Sequence, residues 1–315
     1  MTIESLIISD WQERIAYFVT NPGIMISDFA ESYLKGETPI PCVKCNQTVK
    51  FVDMLNFSKK MGAVALATGH YIRRDVKDGK PSLYRANDLS KDQSYFLFAT
   101  TFEQLSYLRF PLGDFTKSTI RDLAKYFDLN VAEKPDSQDI CFVPDGKYSN
   151  LVRKLRPESV QKGDIYHVDG SYLGEHNGII DYTIGQRKGI RIGGRKDVTE
   201  NDAKLYVISI DEKNNKIVVG PQRYLSCDEF SINECNWITD SDKNKFDALV
   251  KLRNTAKPVQ VKIQTDLEKS SASVMLKNPE FGISPGQAAV FYDLVDKNRV
   301  LGGGWIKSTK NYLND

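Results

Sequence analysis

The hydrophobic period of this chain switches partway along it, and the switch limits the fold more than any single motif. Before about residue 130, apolar residues recur at helical spacing. Ile26, Phe29, Ala30, Tyr33 and Leu34 line one face of a helix that Ser27 and Asp28 open and Gly36 ends. Asn46 is placed to cap a second helix, with Val49, Val52, Leu55 and Met61 on its apolar face before Gly62. Between the two, Pro39 and Pro41 block regular structure and are expected to hold Cys42 and Cys45 in a loop. Ala63-Val-Ala-Leu-Ala-Thr68 is an unbroken apolar run, the pattern of a parallel strand covered on both faces. It ends in Gly69-His70-Tyr71, at the strand end where open α/β sheets collect ligands. A hairpin turning at Asp78-Gly79 should follow. Ser90-Lys-Asp-Gln93 then reads as a capping box opening a helix through Tyr95, Phe96 and Phe98. A last helix, about Thr116 to Phe127, has Ile120, Leu123, Ala124 and Phe127 on one face. This order is that of the later part of a doubly wound α/β domain.

After Asp136-Ser-Gln-Asp-Ile-Cys-Phe-Val-Pro144 the texture changes, and from Gly163 glycines and hairpin signals dominate. Val207-Ile-Ser-Ile-Asp211 and Lys216-Ile-Val-Val-Gly220 pair across a polar turn. From about residue 221, short runs such as Val259-Gln-Val-Lys-Ile263 and Ala288-Ala-Val-Phe-Tyr292 alternate with turn residues, which suits a small antiparallel β-barrel. The fold expected is therefore α/β, with an incomplete doubly wound sheet, followed by a small central domain and a C-terminal antiparallel β-barrel. Boundaries fall at 1–147, 148–220 and 221–315.

A chain of 315 residues with 41% hydrophobic and 27% charged residues can bury such cores and is not a disordered composition. No apolar run approaches the ~20 residues of a membrane span, so no membrane partner is expected. Lys and Arg total 43 against 41 Asp and Glu, so any nucleic-acid footprint must be local. The five cysteines, Cys42, Cys45, Cys141, Cys227 and Cys235, are odd in number and follow no secretory leader, which points to a reducing cytoplasm. There, Cys-x-x-Cys binds metal or does thiol chemistry more often than it forms a permanent disulfide. Cys227 and Cys235 lie in strand-like sequence and read as buried structural thiols.

If the loops carrying Cys42, Cys45 and Cys141 share a sheet edge, three thiols converge near His70. That suits a thiolate nucleophile, a persulfide carrier or an iron–sulfur cluster with three protein ligands. A structural zinc site with His70 as fourth ligand, or unrelated buried thiols, fits the spacing as well. Tyr182-Thr-Ile-Gly-Gln-Arg-Lys-Gly-Ile-Arg-Ile-Gly-Gly-Arg-Lys196 carries Arg187, Lys188, Arg191, Arg195 and Lys196 on a glycine-rich, acid-poor loop, which reads as a phosphate contact or as a solvated basic loop. Lys91-Asp92-Gln93 offers a cation, a carboxylate and an amide together. Pro285-Gly-Gln287 and Gly302-Gly-Gly304 read as barrel turns and close strand packing.

Taken together, Gly36-Glu-Thr-Pro-Ile-Pro-Cys-Val-Lys-Cys-Asn46, Ala67-Thr-Gly-His-Tyr71, Lys91-Asp-Gln-Ser-Tyr-Phe96, Asp136-Ser-Gln-Asp-Ile-Cys-Phe142, Gly174-Glu-His-Asn-Gly178, Tyr182-Thr-Ile-Gly-Gln-Arg-Lys-Gly189, Ser284-Pro-Gly-Gln287 and Leu301-Gly-Gly-Gly304 occur in the order found in the bacterial tRNA-specific 2-thiouridylases. The chain resembles that family from about Ile26 to its C-terminus. The resemblance implies a sulfurtransferase that uses ATP to adenylate O2 of the wobble uridine, after which enzyme-held sulfur replaces that oxygen. It implies Cys45 as nucleophile and Cys141 as the persulfide-bearing cysteine, the two pairing as a transient disulfide. Cys42 would be a third thiol or a cluster ligand beside Cys45 and Cys141. Gly69 would touch the nucleotide. Ile40, Pro41 and Cys42 would approach the target base, and His70, Lys91, Asp92, Gln93, Arg187, Lys188, Arg253, Asn254 and Gln287 would touch tRNA. The partners implied are tRNAs for Lys, Glu and Gln and a persulfide donor such as a cysteine desulfurase or sulfur-relay protein.

Members of that family begin with a strand feeding a Ser-Gly-Gly-x-Asp-Ser loop for the ATP pyrophosphate. No such string occurs in these 315 residues, and the stretch from Met1 to about Met25 does not resemble the family there. A late-starting gene model, a frameshift or a natural remnant would each account for this. Backbone amides supply much of polyphosphate binding, so weak ATP binding is expected of the chain as given. The alternative function is a catalytically impaired tRNA-binding remnant.

Overall fold

A computed structural model describes residues 25–130, 132–133, 140, 143, 148–157, 161–190, 192, 204–238 and 244–311. Cys141, Arg191, Arg195, Lys196 and the 1–24 segment, all singled out above, lie outside them.

Helix α1 (Met25–Leu34) forms where periodicity places it, and Gly36 follows in the left-handed conformation at φ +68°. The next segment departs from expectation. Both cysteines are helical, because Pro41 occupies the first position of α2 (Pro41–Cys45), where a missing N–H costs no hydrogen bond. Asn46 is not the N-cap of a second helix; it is buried inside a continuous helical run. That run passes through a π-helical stretch (Asn46–Asp53) into α3 (Met54–Lys60). The wider π-turn rotates the inward face, so Phe51 and Leu55 are buried while Val52 is exposed.

Strand β1 is only Leu66–Ala67 and pairs in parallel with β4 (Leu108–Arg109). The unbroken apolar run does not become a fully covered strand, and Val64 is 90% exposed. The hairpin of β2 (Ile72–Lys77) and β3 (Lys80–Arg85) turns at Asp78 and Gly79, both with positive φ as the Asp-Gly signal requires. No capping box forms at Ser90–Gln93. Ser90 Oγ donates to Asp88 Oδ1, and only a 3₁₀ turn (Ser94–Phe96) follows. The capping box sits at Thr101 and Gln104 instead, opening α4 (Phe102–Tyr107). Helix α5 (Lys117–Tyr126) is capped by Thr116, but of its expected apolar face Ala124 is buried while Leu123 and Phe127 are exposed.

The central region has α6 (Tyr148–Leu155) and strands β5 (Gly163–His167), β6 (Tyr172–His176), β7 (Tyr206–Asp211) and β8 (Lys216–Gly220) in the order β6-β5-β8-β7. Its core takes in Val152, Ile165, Val207, Ile217 and Val219, and also Phe29 and Ala30 of α1. The helix that leads to the cysteines therefore spends its apolar face on the central sheet. Burial pushes the Tyr33 phenol up to about 12 there.

The last six strands, β9 (Ser226–Trp237), β10 (Lys245–Lys251), β11 (Val259–Asp266), β12 (Ser271–Phe281), β13 (Ala288–Tyr292) and β14 (Arg299–Asn311), are antiparallel and close on themselves through β13–β14. Val261 and Ile263 face inward between exposed Gln260, Lys262 and Gln264, the period of two in the sequence. Strand β13 is different, being buried on both faces. Ala289 and Phe291 enter the barrel core, while Ala288, Val290 and Tyr292 join Val43, Phe51, Leu83, Tyr95 and Phe98 in a core shared with the first region. The β2–β3 hairpin extends the same sheet through Arg299↔Tyr84 and Val300↔Leu83. At the joint, a Cβ on Gly303 would stand 2.6 Å from the Ala289 carbonyl and from Phe98, so only glycine fits.

Candidate functional site

The cysteine pair stands where the first region meets the barrel. Cys42 is exposed, Val43 is fully buried in the shared core, and Cys45 is half-buried. Successive residues on a helix point about 100° apart, so Val43 anchors the helix and turns Cys42 toward solvent. Asn46 fixes the next position, its side-chain amide donating to the Phe96 carbonyl at 3.0 Å. Ile40 is half-buried and Pro41 buried at the head of the helix.

One helical turn beyond Cys45, Lys50 faces His70. Lys50 Nζ lies 3.4 Å from His70 Nε2, and Thr68 Oγ1 lies 2.9 Å from Nδ1. An ammonium only donates, so Nε2 accepts and Nδ1 carries the proton directed at Thr68. Phe51 and Phe110 press their ring edges against the imidazole at 5.9 and 6.5 Å between centroids. Burial, and secondarily the Lys50 charge, lowers the His70 pKa to about 3. His70 is thus neutral at physiological pH, and the cation at this place is Lys50. Gly69 is exposed beside it, after β1.

Of Lys91, Asp92 and Gln93, the last two brace this loop. The Gln93 N–H donates to the Tyr71 carbonyl at 3.0 Å and the Tyr71 N–H to Gln93 Oε1 at 2.8 Å, a reciprocal pair next to His70. The Asp92 carboxylate is wholly enclosed. It meets Arg85 Nε at 3.1 Å, the Ala86 N–H at 3.1 Å, Ser94 Oγ at 2.8 Å and, at 4.0 Å, Lys251 Nζ from the barrel. Burial lowers the Lys251 pKa, Asp92 opposes that shift, and Arg85 adds to it. Ser94 Oγ continues the network to Tyr292 Oη at 2.8 Å. Tyr95 Oη lies 3.3 Å from the Leu252 carbonyl and 3.0 Å from that of Ala288, the residues flanking Arg253 and Gln287. One short string thereby connects His70, Arg253 and Gln287. Lys50, Thr68, Arg85, Tyr95, Lys251 and Tyr292 escape sequence reasoning. Only the spacing of Lys50 from Cys45 along one helix could have flagged any of them.

Arg253 and Asn254 are exposed on the barrel, where the Arg253 guanidinium donates to the Gly282 carbonyl. Gly185, at the head of the basic loop, abuts Gly282 and Arg253, which brings exposed Arg187 and Lys188 alongside. Gln287 Oε1 is buried without a hydrogen-bond partner. Its neighbour Pro285 accepts a 3.0 Å hydrogen bond from the Thr38 N–H, which places this turn against the segment leading into the cysteines.

Burial raises the Cys227 and Cys235 thiols to about 11 and 12, so both are inert structural cysteines. Among the described residues no group of three His, Cys, Asp or Glu is arranged to hold a metal ion. His70, whose nitrogens face Lys50 and Thr68, is turned away from any such role. Of the three thiols suited to a cluster, only Cys42 and Cys45 are described.

Three family models match in series: a tRNA methyl transferase HUP domain over residues 18–145, a tRNA methyl transferase PRC-barrel domain over 150–221 and an aminomethyltransferase β-barrel domain over 227–306. The fold and the cysteine helix define a HUP-type α/β protein carrying two appended barrels. A tRNA-specific 2-thiouridylase MnmA of Sphingopyxis alaskensis is 50% identical over 285 residues, covering 90% of this chain and 71% of the relative. One from Wolbachia sp. subsp. Drosophila simulans is 52% identical over 284 residues (90% and 74%), and one from Rhodospirillum centenum 50% over 302 residues (95% and 74%). The chain belongs to the tRNA-specific 2-thiouridylase MnmA family. No helix among its described residues is long and apolar enough to cross a membrane.

Proposed function

We propose that this protein is a tRNA-uridine 2-sulfurtransferase that uses ATP to replace O2 of the wobble uridine with sulfur. The observation that carries the reading is the Cys42–Cys45 helix, with one thiol exposed and one half-buried, set in the first of three matching domains. Family membership supplies the reaction, and the helix supplies Cys45 as a half-buried nucleophile beside the exposed Cys42. The regions 1–147, 148–220 and 221–315 divide the work into thiolation, central tRNA contact and barrel, with α1 packed onto the second.

In this scheme O2 of the uridine attacks the α-phosphate of ATP and pyrophosphate leaves. The terminal sulfur of a persulfide on Cys141 bonds to C2. The Cys45 thiolate then attacks Cys141 Sγ, the persulfide S–S bond breaks toward the uridine, and AMP departs with the original oxygen. Cys45 and Cys141 are left as a disulfide, which a thiol reductant returns to two thiols. Ile40, Pro41 and Cys42 would meet the base, and Gly69 the nucleotide. Lys91, Arg253, Asn254 and Gln287 would meet the tRNA, with Arg187 and Lys188 on its phosphates. His70 contributes a neutral imidazole. Asp92 and Gln93 act by holding the His70 loop and the barrel in register. The tRNAs are those for Lys, Glu and Gln, the sulfur comes from a cysteine desulfurase or relay protein, and the work takes place in the cytoplasm.

The test is nucleoside analysis of tRNA from a strain lacking the enzyme and complemented with this chain. Restored 2-thiouridine is expected. A second reading is a tRNA-binding remnant impaired in adenylation. Unrestored 2-thiouridine from a chain that still binds tRNA would establish it.

A further inference from the structure

A cavity of about 250 Å³ lies behind the cysteine helix, between it and the barrel, with Glu37, Pro39 and Lys44 on one wall and Glu234 and Trp305 on the other. A helix backed by a cavity is not located there by close packing. What spans the gap is polar, and it comes from β9, β14 and the turn before β14's partner strand. Ahead of the helix, the Thr38 N–H donates to the Pro285 carbonyl at 3.0 Å and Thr38 Oγ1 lies 3.2 Å from Ser284 Oγ. Gly286, at φ +83°, lets the chains meet, since a Cβ there would stand 2.8 Å from Glu37 Cβ. Within the helix, Lys44 Nζ donates to Glu234 Oε2 at 3.1 Å and lies 5.1 Å from the centroid of the Trp305 ring.

Lys44 is the residue between buried Val43 and Cys45. With Val43 held in the shared core and Lys44 drawn to the barrel, the rotation of the helix about its axis is fixed, and with it the direction of the Cys45 thiol. We propose that Lys44 and Glu234 are positioning residues for sulfur transfer, by which the C-terminal barrel sets the thiol helix. Neither touches the reacting atoms. The ion pair is solvent-exposed and the ring contact adds modestly to it, so the expected effect of losing the pair is about three- to tenfold.

The experiment uses the full chain, reduced, and compares wild type with Lys44→Met, Glu234→Gln and the charge swap Lys44→Glu/Glu234→Lys. The Cys45 alkylation rate by iodoacetamide is followed by peptide mass spectrometry, alongside kcat and KM for tRNA thiolation, with melting curves confirming folding. Each single variant should change the alkylation rate about three- to tenfold and lower kcat similarly, with KM for tRNA moving less than about twofold. The swap should restore both to within about twofold of wild type. A purely local charge effect predicts the reverse, because the swap puts a carboxylate beside Cys45. A swap slower than Lys44→Met, or single variants with unchanged alkylation, would overturn the proposal. The kcat readout rests on the sulfurtransferase reading, and alkylation does not. Shifted alkylation in a wild-type background without thiolation would sink that reading and leave the positioning intact.

Discussion

The barrel and the cysteine segment occupy adjacent space and are held by opposite means. Each barrel strand has strand neighbours on both sides, and β13 is buried on both faces. The cysteine segment gives Val43 and Phe51 to the shared core, packs Ile40 against it, and is seated on the barrel by hydrogen bonds and an exposed ion pair. The contrast separates a frame from the element mounted on it. In the proposed scheme the Cys45 thiol must meet a second thiol from a set direction, and the barrel supplies the fixed side of its seat.

The comparison is most sharply tested by removing the chemistry while keeping the frame. Cys45→Ser or Cys141→Ser should abolish 2-thiouridine formation while tRNA affinity stays within about twofold; nucleoside analysis and a fluorescence binding titration read the two outcomes. A large loss of affinity would mean the cysteine segment is part of the frame after all.

Next in size is the buried joint between the two regions. Asp92→Ala strips the partner from Arg85 and from buried Lys251, and leaving such charges uncompensated should cost about 3–5 kcal/mol in urea unfolding. Gly303→Ala overfills the contact between Ala289 and Phe98 and should cost about 1–3 kcal/mol. By contrast Gly79→Ala, at φ +74° in a hairpin turn with open space around it, should cost about 1 kcal/mol of backbone strain. Equal costs at the two glycines would erase the distinction between joint and periphery.

A further effect concerns pH. The His70 pKa is about 3 when folded and ordinary, about 6.5, when unfolded. Between those values the unfolded chain binds more protons, so this contribution to stability is complete above pH 6.5 and is lost as pH falls toward 3. Wild type should lose melting temperature from pH 7 to pH 5, and His70→Gln should lose less over the same interval. Parallel curves would mean the imidazole is exposed and charged.

Several elements were legible because their signals are local. Asp78-Gly79 specifies its own turn, the alternation in Val259–Ile263 specifies a half-buried strand, and Ile26 to Gly36 specifies a helix with its stop. The misreadings share a cause. Ala63–Thr68 looked like a buried strand, yet burial depends on what covers it. Ala288–Tyr292 is the barrel strand its pattern suggested, but that its outer face is also core could not be read from the pattern. Pro39 and Pro41 suggested a loop, although a proline at a first helical position leaves the helix intact. Lys91-Asp92-Gln93 suggested ligand contacts at a helix start, and the carboxylate is enclosed instead.

The sequence by itself determined the periods, the turns, the family and the thiols that could react. Which way those thiols face was decided only by tertiary structure. Lys44 meets Glu234 across 190 residues and Thr38 meets Ser284 across 246. Periodicity reports a residue's neighbours three or four positions away, whereas the seat of the cysteine helix is made from side chains that share no local pattern and become neighbours only when the barrel closes.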